Sequence, residues 1–159
     1  MKGGKTNPMH RLYENDDIVV FWNSEKCFHS KKCVTGSPKT FDINRKPWID
    51  VTLADNSEIW QTIEKCPSGA LGVLFRHGID VKIDLDNNRS IALDGDRIIG
   101  ECDYSVSEGT WNIYHTEVSE KYGGKGIAKR LVYKVIEAAE KNHVEISATC
   151  SYAIKVIKE

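Results

Sequence analysis

Three cysteines and a histidine in the first half of the chain have the residue types and spacing of a metal centre. Cys27 and Cys33 are six positions apart with His29 between them, and Cys66 belongs to a later Cys-Pro pair. A common bacterial iron–sulfur pattern is C-x2-C-x2-C with a remote Cys-Pro. The outer cysteines fit that run, and Ser30 occupies its middle position. The pattern therefore predicts an iron–sulfur clamp that lacks one thiolate.

The type of metal group depends on the fourth ligand. Three thiolates complete a 3Fe-4S cluster, whereas a 4Fe-4S cluster needs a further ligand from His29, Ser30, solvent or a substrate. His29 could instead donate a hydrogen bond to cluster sulfur. A Cys3His zinc site is the competing interpretation, but the tight Cys-x-His spacing and the Cys-Pro pair favour iron and sulfide. The predicted metal ligands are Cys27, Cys33, Cys66 and His29.

Two apolar segments are expected to support the cysteine loop. Ile18 to Trp22 is an unbroken apolar run that leads towards Cys27, and such a run is typical of a buried strand. Trp48 and Ile49 are predicted to form a second strand that packs on the first. We therefore expect a small sheet beside the cysteines.

A helix is expected to position the last cysteine. Asp55 and Glu58 have the spacing of a capping box, and an apolar stripe follows at helical spacing. That stripe places Ile59, Ile63 and Cys66 on one face. Cys66 should therefore lie at the end of a helix whose apolar face meets the core.

These segments together resemble a known family. They are Trp22, the Cys-x-His-x3-Cys run, Arg45-Lys46-Pro47-Trp48-Ile49 and Cys66-Pro67-Ser68-Gly69-Ala70-Leu71. From Tyr13 to Leu71 the chain is similar to the divergent single-cluster 4Fe-4S ferredoxin-like family. The resemblance implies a small ferredoxin-like iron–sulfur domain, which we place at residues 1–74, and a redox partner protein is one expected partner.

The second half changes to alternating strands and tight turns. Apolar and polar residues alternate over residues 79–83, which predicts a half-buried strand. An Asp-Gly pair at residues 94–95 is a hairpin signal. Residues 79–118 are therefore predicted to form an antiparallel meander, with Cys102 buried inside one strand.

A glycine-rich turn then precedes an amphipathic helix. Lys121 to Arg130 contains three glycines, and apolar residues follow at helical spacing at Ile127, Leu131, Val135 and Ala139. Glycines at a helix start let the backbone approach an anion, and the N–H groups of the first turn favour phosphate. The spacing matches neither a Walker loop nor a Rossmann fingerprint. A tight turn without a ligand is the alternative interpretation.

The order of these elements resembles a second family. The meander, the glycine-rich turn, the helix and an apolar strand from Val144 to Ala148 follow one another, as in the GNAT superfamily of acyl-CoA N-acetyltransferases. Gly124-x-Gly126-Ile127-Ala128 is similar to that family's pyrophosphate loop. His115-Thr116-Glu117-Val118 and Cys150-Ser151-Tyr152-Ala153 resemble its very small subgroup. Gly123 departs from the pattern, because the family usually has Arg or Gln there.

The resemblance implies a binding site for acetyl-CoA. Backbone amides from Lys125 to Ala128 would bind the pyrophosphate, and Lys121 or Lys125 would supply the charge that Gly123 lacks. The predicted cofactor-binding residues are Val118, Gly123, Gly124, Lys125, Gly126, Ile127 and Ala128.

The same resemblance places Cys150 beside the acyl group of the coenzyme A thioester. Strand alternation predicts that His115 and Glu117 share a face with Ile113. A histidine near a cysteine could act as base for an amine or activate a thiolate for acyl capture. The predicted catalytic residues are Cys150, His115 and Glu117, with direct transfer to an unknown amine acceptor preferred. The alternative is a hydrogen-bonded histidine and an inert cysteine.

Charge and composition restrict the classes of partner. The chain has 22 Lys and Arg against 23 Asp and Glu, so no overall field draws it to nucleic acid or a membrane. No stretch reaches the roughly 18 apolar residues of a membrane span, and residues 1–17 lack the apolar region of a secretory signal. Five unevenly spread cysteines argue against a secreted disulfide scaffold. We expect a cytoplasmic protein.

These patterns predict an α+β chain: a small ferredoxin-like iron–sulfur domain followed, at residues 78–159, by a minimal GNAT-like antiparallel sheet with two helices. The expected function is that of an iron–sulfur-cluster-binding protein with an acetyl-CoA-binding N-acetyltransferase-like domain under redox regulation. One alternative is an electron-transfer or cluster-handling module whose second half only binds coenzyme A or a partner. Another is a zinc-stabilised adaptor without catalysis.

Overall fold

The chain divides into two compact α+β units. A computed structural model describes residues 10–23, 32–67 and 69–158, and the units are Met1–Arg76 and His77–Glu159. Over these described ranges, each unit has one sheet and its own helices. The predicted mixed α+β architecture, with a small sheet first and a larger sheet with two helices second, is confirmed.

In its described residues, the first unit contains a three-stranded antiparallel sheet and two helices. The sheet order is β1-β2-β3, and β2 is the predicted buried strand, which pairs with both neighbours. α2 contacts both α1 and β3. The elements are β1 His10–Glu14, β2 Ile18–Asn23, α1 Lys32–Gly36, α2 Asn56–Glu64 and β3 Leu71–Phe75.

The predicted second strand at Trp48 and Ile49 is wrong as a strand but right as a packing element. In residues 32–67 this segment makes one isolated bridge, between Phe41 and Ile49. The Arg45 guanidinium donates to nearby carbonyl oxygens, including those of Thr40 at 2.8 Å and Trp48 at 3.2 Å. Because those carbonyls bond to a side chain, the segment folds around Arg45. Ile49 is still buried in the core.

The second unit is a five-stranded sheet in the order β4-β5-β6-β7-β8. The first four strands form the predicted antiparallel meander, whereas β8 runs parallel to β7. The helix α3 packs against β4 to β7, and α4 packs against β7 and β8. The elements are β4 Asp80–Asp84, β5 Arg89–Asp94, β6 Arg97–Ser107, β7 Thr110–Val118, α3 Ile127–Lys141, β8 Glu145–Ala148 and α4 Ser151–Lys158.

The apolar stripe of α3 forms the core of the second unit, as its spacing predicts. Ile127, Leu131, Val135 and Ala139 are all buried, and each large apolar side chain contributes about 1.5–3 kcal/mol when fully buried. The Ser90 hydroxyl on β5 donates to the carbonyl oxygen of Leu131 at 2.8 Å. The sheet face that carries Ser90 therefore faces α3.

A β-bulge in β7 changes which face of the sheet the residues after Tyr114 occupy. Asp103 pairs with His115, but the next residue of β6, Tyr104, pairs with Ile113, which leaves Tyr114 as the extra residue. An extra residue shifts the alternation of the strand by one. The prediction that His115 and Glu117 share a face with Ile113 is therefore wrong.

Candidate functional site

Two of the four predicted metal ligands lie in the described part of the first unit. Cys33 is in the first turn of α1, and Cys66 follows the end of α2 with its N–H donating to the Ile63 carbonyl at 3.0 Å. Both cysteines are half-buried and pack against the same apolar core. Cys27 and His29 lie outside the described residues.

Close contact between the two helices fixes the position of the Cys33 segment relative to α2. A Cβ on Gly36 would lie 2.9 Å from Thr62 Oγ1, so only glycine permits this approach without displacement. The next residue, Ser37, is buried and donates its hydroxyl to a Glu58 carboxylate oxygen at 2.8 Å. These contacts join the end of α1 to the helix that leads to Cys66.

The expected capping box is only half present. Asp55 occupies the N-cap position of α2, but its side chain makes no cap hydrogen bond to any described residue. Glu58 instead accepts the hydrogen bond from Ser37. The predicted helix start is thus correct, while the glutamate stabilises the contact with the cysteine-bearing segment.

Two buried indole N–H groups belong to the same core. The rings of Trp22 and Trp48 meet edge to face with centroids 5.1 Å apart, and both pack on the core that Cys33 and Cys66 contact. Neither Nε1 atom has a hydrogen-bond partner among the described residues. Buried donors normally have an acceptor, and cluster sulfur accepts such bonds. The donors and the two thiols therefore fit an iron–sulfur group.

A metal search of the described residues gives a limited result. No three histidine, cysteine or carboxylate side chains within residues 10–23, 32–67 and 69–158 converge on one point. Only Cys33 and Cys66 of the predicted ligand set are in those ranges, so the predicted set itself stays a prediction.

In the second unit, the glycine-rich loop has the backbone that an anion site requires. Gly124 and Gly126 have φ angles of 74° and 76°, which glycine adopts without a steric penalty. Gly126 is the N-cap of α3, and no described side chain caps this helix start. The first-turn amides of a helix have no acceptor within the helix itself. They are thus positioned to bind phosphate oxygens.

The loop is held at its beginning and approaches the sheet at Val118. The Tyr122 hydroxyl donates to the Asp94 carboxylate at the end of β5, and the Ser119 N–H donates to the Ile99 carbonyl at 2.8 Å. Val118, at the end of β7, is half-buried and pairs with Gly100. The loop therefore starts from a fixed point on the sheet.

The basic residues near this loop differ in exposure. Arg130 is 2% exposed and donates to the Ile79 carbonyl at 2.8 Å. Its guanidinium is therefore buried in the unit and does not face the loop's solvent side. Lys129 Nζ lies 5.8 Å from the centre of the Tyr133 ring. Lys121 is exposed and Lys125, within the loop itself, is partly exposed, so both lysines have access to a bound anion.

Cys150 occupies the N-cap of α4. The Ile154 N–H donates to its carbonyl at 3.0 Å, and its own N–H donates to the Ile113 carbonyl at 3.2 Å. β8 stops pairing with β7 at Ile113, so the rest of β7 continues without β8 as a neighbour in the described sheet. Cys150 thus lies where the two strands separate.

The surroundings of Cys150 favour its thiolate. Partial burial raises the pKa of the thiol, but hydrogen bonds with the Ala153 amide and with the Thr116 hydroxyl act in the opposite direction, as does the Tyr152 amide. The net effect lowers the pKa of Cys150 from the usual 9.0. Helix N-termini lower thiol pKa values because their N–H groups stabilise the negative charge.

Thr116 lies between two thiols, an arrangement that no sequence pattern indicates. Its Oγ1 is 3.7 Å from Cys150 Sγ and 3.6 Å from the Sγ of Cys102. Thr116 pairs with Cys102, which pairs with Ser90, so the three side chains share the face towards α3. Cys102 is fully buried, as predicted, and burial is the main cause that raises its pKa to about 12.

His115 and Glu117 lie on the opposite face of β7 from Thr116. Both are exposed, and they pair with Asp103 and Glu101, respectively, on β6. Burial raises the pKa of Asp103 to about 6, helped by a hydrogen bond with Glu101. The structure therefore brings Cys150 together with Thr116 and Cys102, and it separates Cys150 from the predicted His115 and Glu117.

Comparisons with known proteins assign each half of the chain. Residues 13–75 match the family described as divergent 4Fe-4S mono-cluster, and residues 89–159 match the family described as GCN5-related N-acetyl-transferase. Every helix within the described ranges is too short or too polar to span a bilayer.

The similar proteins divide in the same way. The protein YjdI of Escherichia coli K12 is 41% identical over 68 residues, which are 43% of this chain and 87% of YjdI. The human protein NATD1 is 31% identical over 98 residues, which are 58% of this chain and 82% of NATD1. The solution structure of a GCN5-like putative N-acetyltransferase from Staphylococcus aureus is 32% identical, covers 50% of this chain and 78% of that one, and has a TM-score of 0.40.

Proposed function

Since the chain belongs to the divergent 4Fe-4S mono-cluster family in its first half and to the GCN5-related N-acetyltransferase family in its second, we propose that it is an iron–sulfur protein that transfers acetyl groups from acetyl-CoA to an amine. We place the functional domains at residues 1–74 and 78–159. The observation that carries the transferase half is the glycine-lined start of α3 together with a thiol of lowered pKa at Cys150.

Cys27, Cys33 and Cys66 would hold the cluster, with His29 as the fourth ligand of a 4Fe-4S form or as a hydrogen-bond donor beside a 3Fe-4S form. When bound, the cluster supplies one-electron redox chemistry. The contact of α1 with α2 keeps Cys33 in position relative to Cys66. Trp22 and Trp48 supply buried N–H groups beside the same core.

The pyrophosphate of coenzyme A would bind at the amides of Lys125, Gly126, Ile127 and Ala128, with Gly123 and Gly124 leading into the loop and Val118 at the strand end. Negative charge is favoured at a helix N-terminus by about 0.3–1 kcal/mol at an exposed site. Lys121 and Lys125 add positive charge, because Arg130 is committed to the Ile79 carbonyl. The acyl end would then lie along β7, where β8 has separated from it.

Acetyl transfer to an amine can follow a covalent route through Cys150 or a direct route. As a thiolate it can attack the thioester carbonyl, so that the new C–S bond forms while coenzyme A leaves as a thiolate, and an amine then takes the acetyl group from Cys150. Direct transfer to the amine needs a base instead. The bulge at Tyr114 places His115 and Glu117 away from Cys150, which supports the covalent route over the direct route preferred from sequence. The catalytic roles of His115 and Glu117 stay predictions.

We further propose that the cluster regulates acetyl transfer, which makes the oxidation state of the first domain the input to the second. The cytoplasmic location and the redox partner predicted from sequence are consistent with this proposal and stay predictions. The alternative function, electron transfer or cluster handling with a second half that only binds coenzyme A or a partner, gives a different result in the experiment below.

The test uses the full chain, purified without air. Iron, sulfide and zinc are assayed, acetyl-CoA is titrated by calorimetry, and acetyl transfer is measured with a panel of primary amines. We expect iron and sulfide without zinc, saturable binding of acetyl-CoA, and transfer that is lost in Cys150→Ala but retained in Ser151→Ala, its exposed neighbour. Binding without transfer to any amine would favour the alternative. Full activity in Cys150→Ala would rule out its catalytic role.

A further inference from the structure

The contacts of Thr116 point to a function that extends beyond one hydrogen bond. Its hydroxyl has Cys150 Sγ on one side and Cys102 Sγ on the other, at 3.7 and 3.6 Å. The hydrogen bonds with Thr116 also contribute to the lowered pKa of Cys150. One hydroxyl of β7 therefore contacts both thiols.

We propose that Thr116 is a positioning residue that, together with the buried Cys102 thiol, forms a hydrogen-bond relay that stabilises the reactive thiolate of Cys150. The inference rests on the proposed role of Cys150 in acetyl transfer. It assigns functions to Thr116 and Cys102, both of which lie on the face of the sheet towards α3.

The relay works through the direction of the hydroxyl proton. In the thiol form, the Cys150 S–H donates to Thr116 Oγ1, and the Thr116 hydroxyl donates to Cys102 Sγ. When Cys150 loses its proton to solvent, its thiolate becomes an acceptor. The Thr116 hydroxyl then turns to donate its proton to Cys150 Sγ. Thr116 Oγ1, which no longer accepts from Cys150, now accepts a hydrogen bond from the Cys102 S–H. No proton moves between the three residues, so the step needs no further reactant.

Cys102 suits the third position because it keeps its proton. Burial raises the pKa of Cys102 to about 12, although the hydrogen bond with Thr116 acts to lower it, and the charges of Cys150 and Asp103 add to the rise. It therefore remains a thiol, and a donor, at neutral pH. The titratable side chain that faces Cys150 across Thr116 is this cysteine of β6, while α4 contributes the amides of Tyr152 and Ala153.

The bulge at Tyr114 explains why this residue and no other on β7 occupies the position. Regular alternation from Ile113 would point His115 towards α3 and Thr116 away from it. The extra residue reverses this order, so that Thr116 pairs with Cys102 on the inner face. A small hydroxyl therefore replaces an imidazole beside the thiol.

The test measures the ionisation of Cys150 in the full chain without any coenzyme. The rate of alkylation by iodoacetamide is followed from pH 6 to 10, which is roughly the range that brackets thiol titration, and peptide mass spectrometry isolates the signal of Cys150. We expect Thr116→Val to raise the apparent pKa by about one unit, since a hydrogen bond to a charged group is lost. Thr116→Ser should stay near the wild-type value.

Two more variants complete the test. Thr149→Val changes an exposed threonine beside Cys150 that bonds to Asn112, and it should leave the apparent pKa unchanged. Cys102→Ala should raise it by less than Thr116→Val does. An unchanged pKa in Thr116→Val, or an equal rise in Thr116→Ser, would overturn the relay, and an unchanged pKa in Cys102→Ala would remove Cys102 from it. Because acetyl-CoA is absent, these results are separate from a failure of the transferase proposal.

Discussion

Of two adjacent glycines in the loop before α3, only Gly124 should lose coenzyme A affinity when it is replaced by alanine. Gly124 has φ of 74°, and an L-residue in this left-handed region costs roughly 1–2 kcal/mol. Gly123 has φ of −65° and ψ of 155°, which any residue adopts. A Cβ on Gly123 would come no closer than 3.4 Å to the nearest non-adjacent atom, the Glu120 carbonyl oxygen, and one on Gly124 would have no described atom within 4 Å. Packing within the chain is therefore unchanged in both variants.

The backbone cost converts into a loss of affinity. A penalty of about 1–2 kcal/mol on the binding conformation lowers its population, and therefore the affinity, by about 5- to 30-fold. Isothermal titration calorimetry with acetyl-CoA should thus show a Kd raised by that factor for Gly124→Ala and a wild-type Kd for Gly123→Ala. Gly123→Arg should bind more tightly than wild type, because it restores a charge beside the pyrophosphate. Wild-type affinity in Gly124→Ala would refute the assignment of this loop.

Three further predictions concern the first unit and the outer face of the sheet. Gly36→Ala should lower the iron and sulfide content of anaerobic protein, because its Cβ would lie 2.9 Å from Thr62 Oγ1 and overpacking costs about 1–3 kcal/mol. Gly72→Ala, whose Cβ would meet only a ring atom at 3.6 Å, should retain both; equal loss would contradict the reasoning. Trp48→Phe removes a buried N–H donor and should lower the reduction potential by roughly 20–60 mV in a redox titration, so an unchanged potential would exclude a bond to the cluster. Burial and a neighbouring glutamate raise the pKa of Asp103 from 3.8 to about 6, so the folded state binds more protons between these values and stability falls as the pH rises through them. Asp103→Asn should remove this pH-dependent fall in stability, as measured by hydrogen exchange of β6 amides. An unchanged pH profile in that variant would contradict the assignment of the fall to Asp103.

The spacing of apolar residues predicted the main helices and strands of both units, because that spacing reflects which face of each element is buried. The apolar stripe of α3 and the alternation of the meander each depend on which face of an element meets the core. Cys102 followed from the same rule, since an uncharged thiol within a strand is usually buried. These features are local in sequence, and they were therefore visible without the structure.

The features that were missed depend on contacts between residues distant in sequence. The bulge at Tyr114 has no sequence signal of its own, yet it moves His115 away from Cys150 and brings Thr116 in. Glu58 bonds to Ser37 across 21 positions instead of capping its own helix. Arg130 is buried and donates a hydrogen bond to the Ile79 carbonyl, 51 positions earlier in the chain.

The central claim is that one polypeptide holds both an iron–sulfur cluster and a coenzyme A thioester. Native mass spectrometry of the whole chain, purified without air and mixed with acetyl-CoA, tests both parts in a single spectrum. The account predicts a species whose mass is that of the chain plus one cluster plus one acetyl-CoA. The cluster should be lost in Cys66→Ser, and the fraction of chain with bound acetyl-CoA should fall in Gly124→Ala. A spectrum that contains only the bare chain would contradict it.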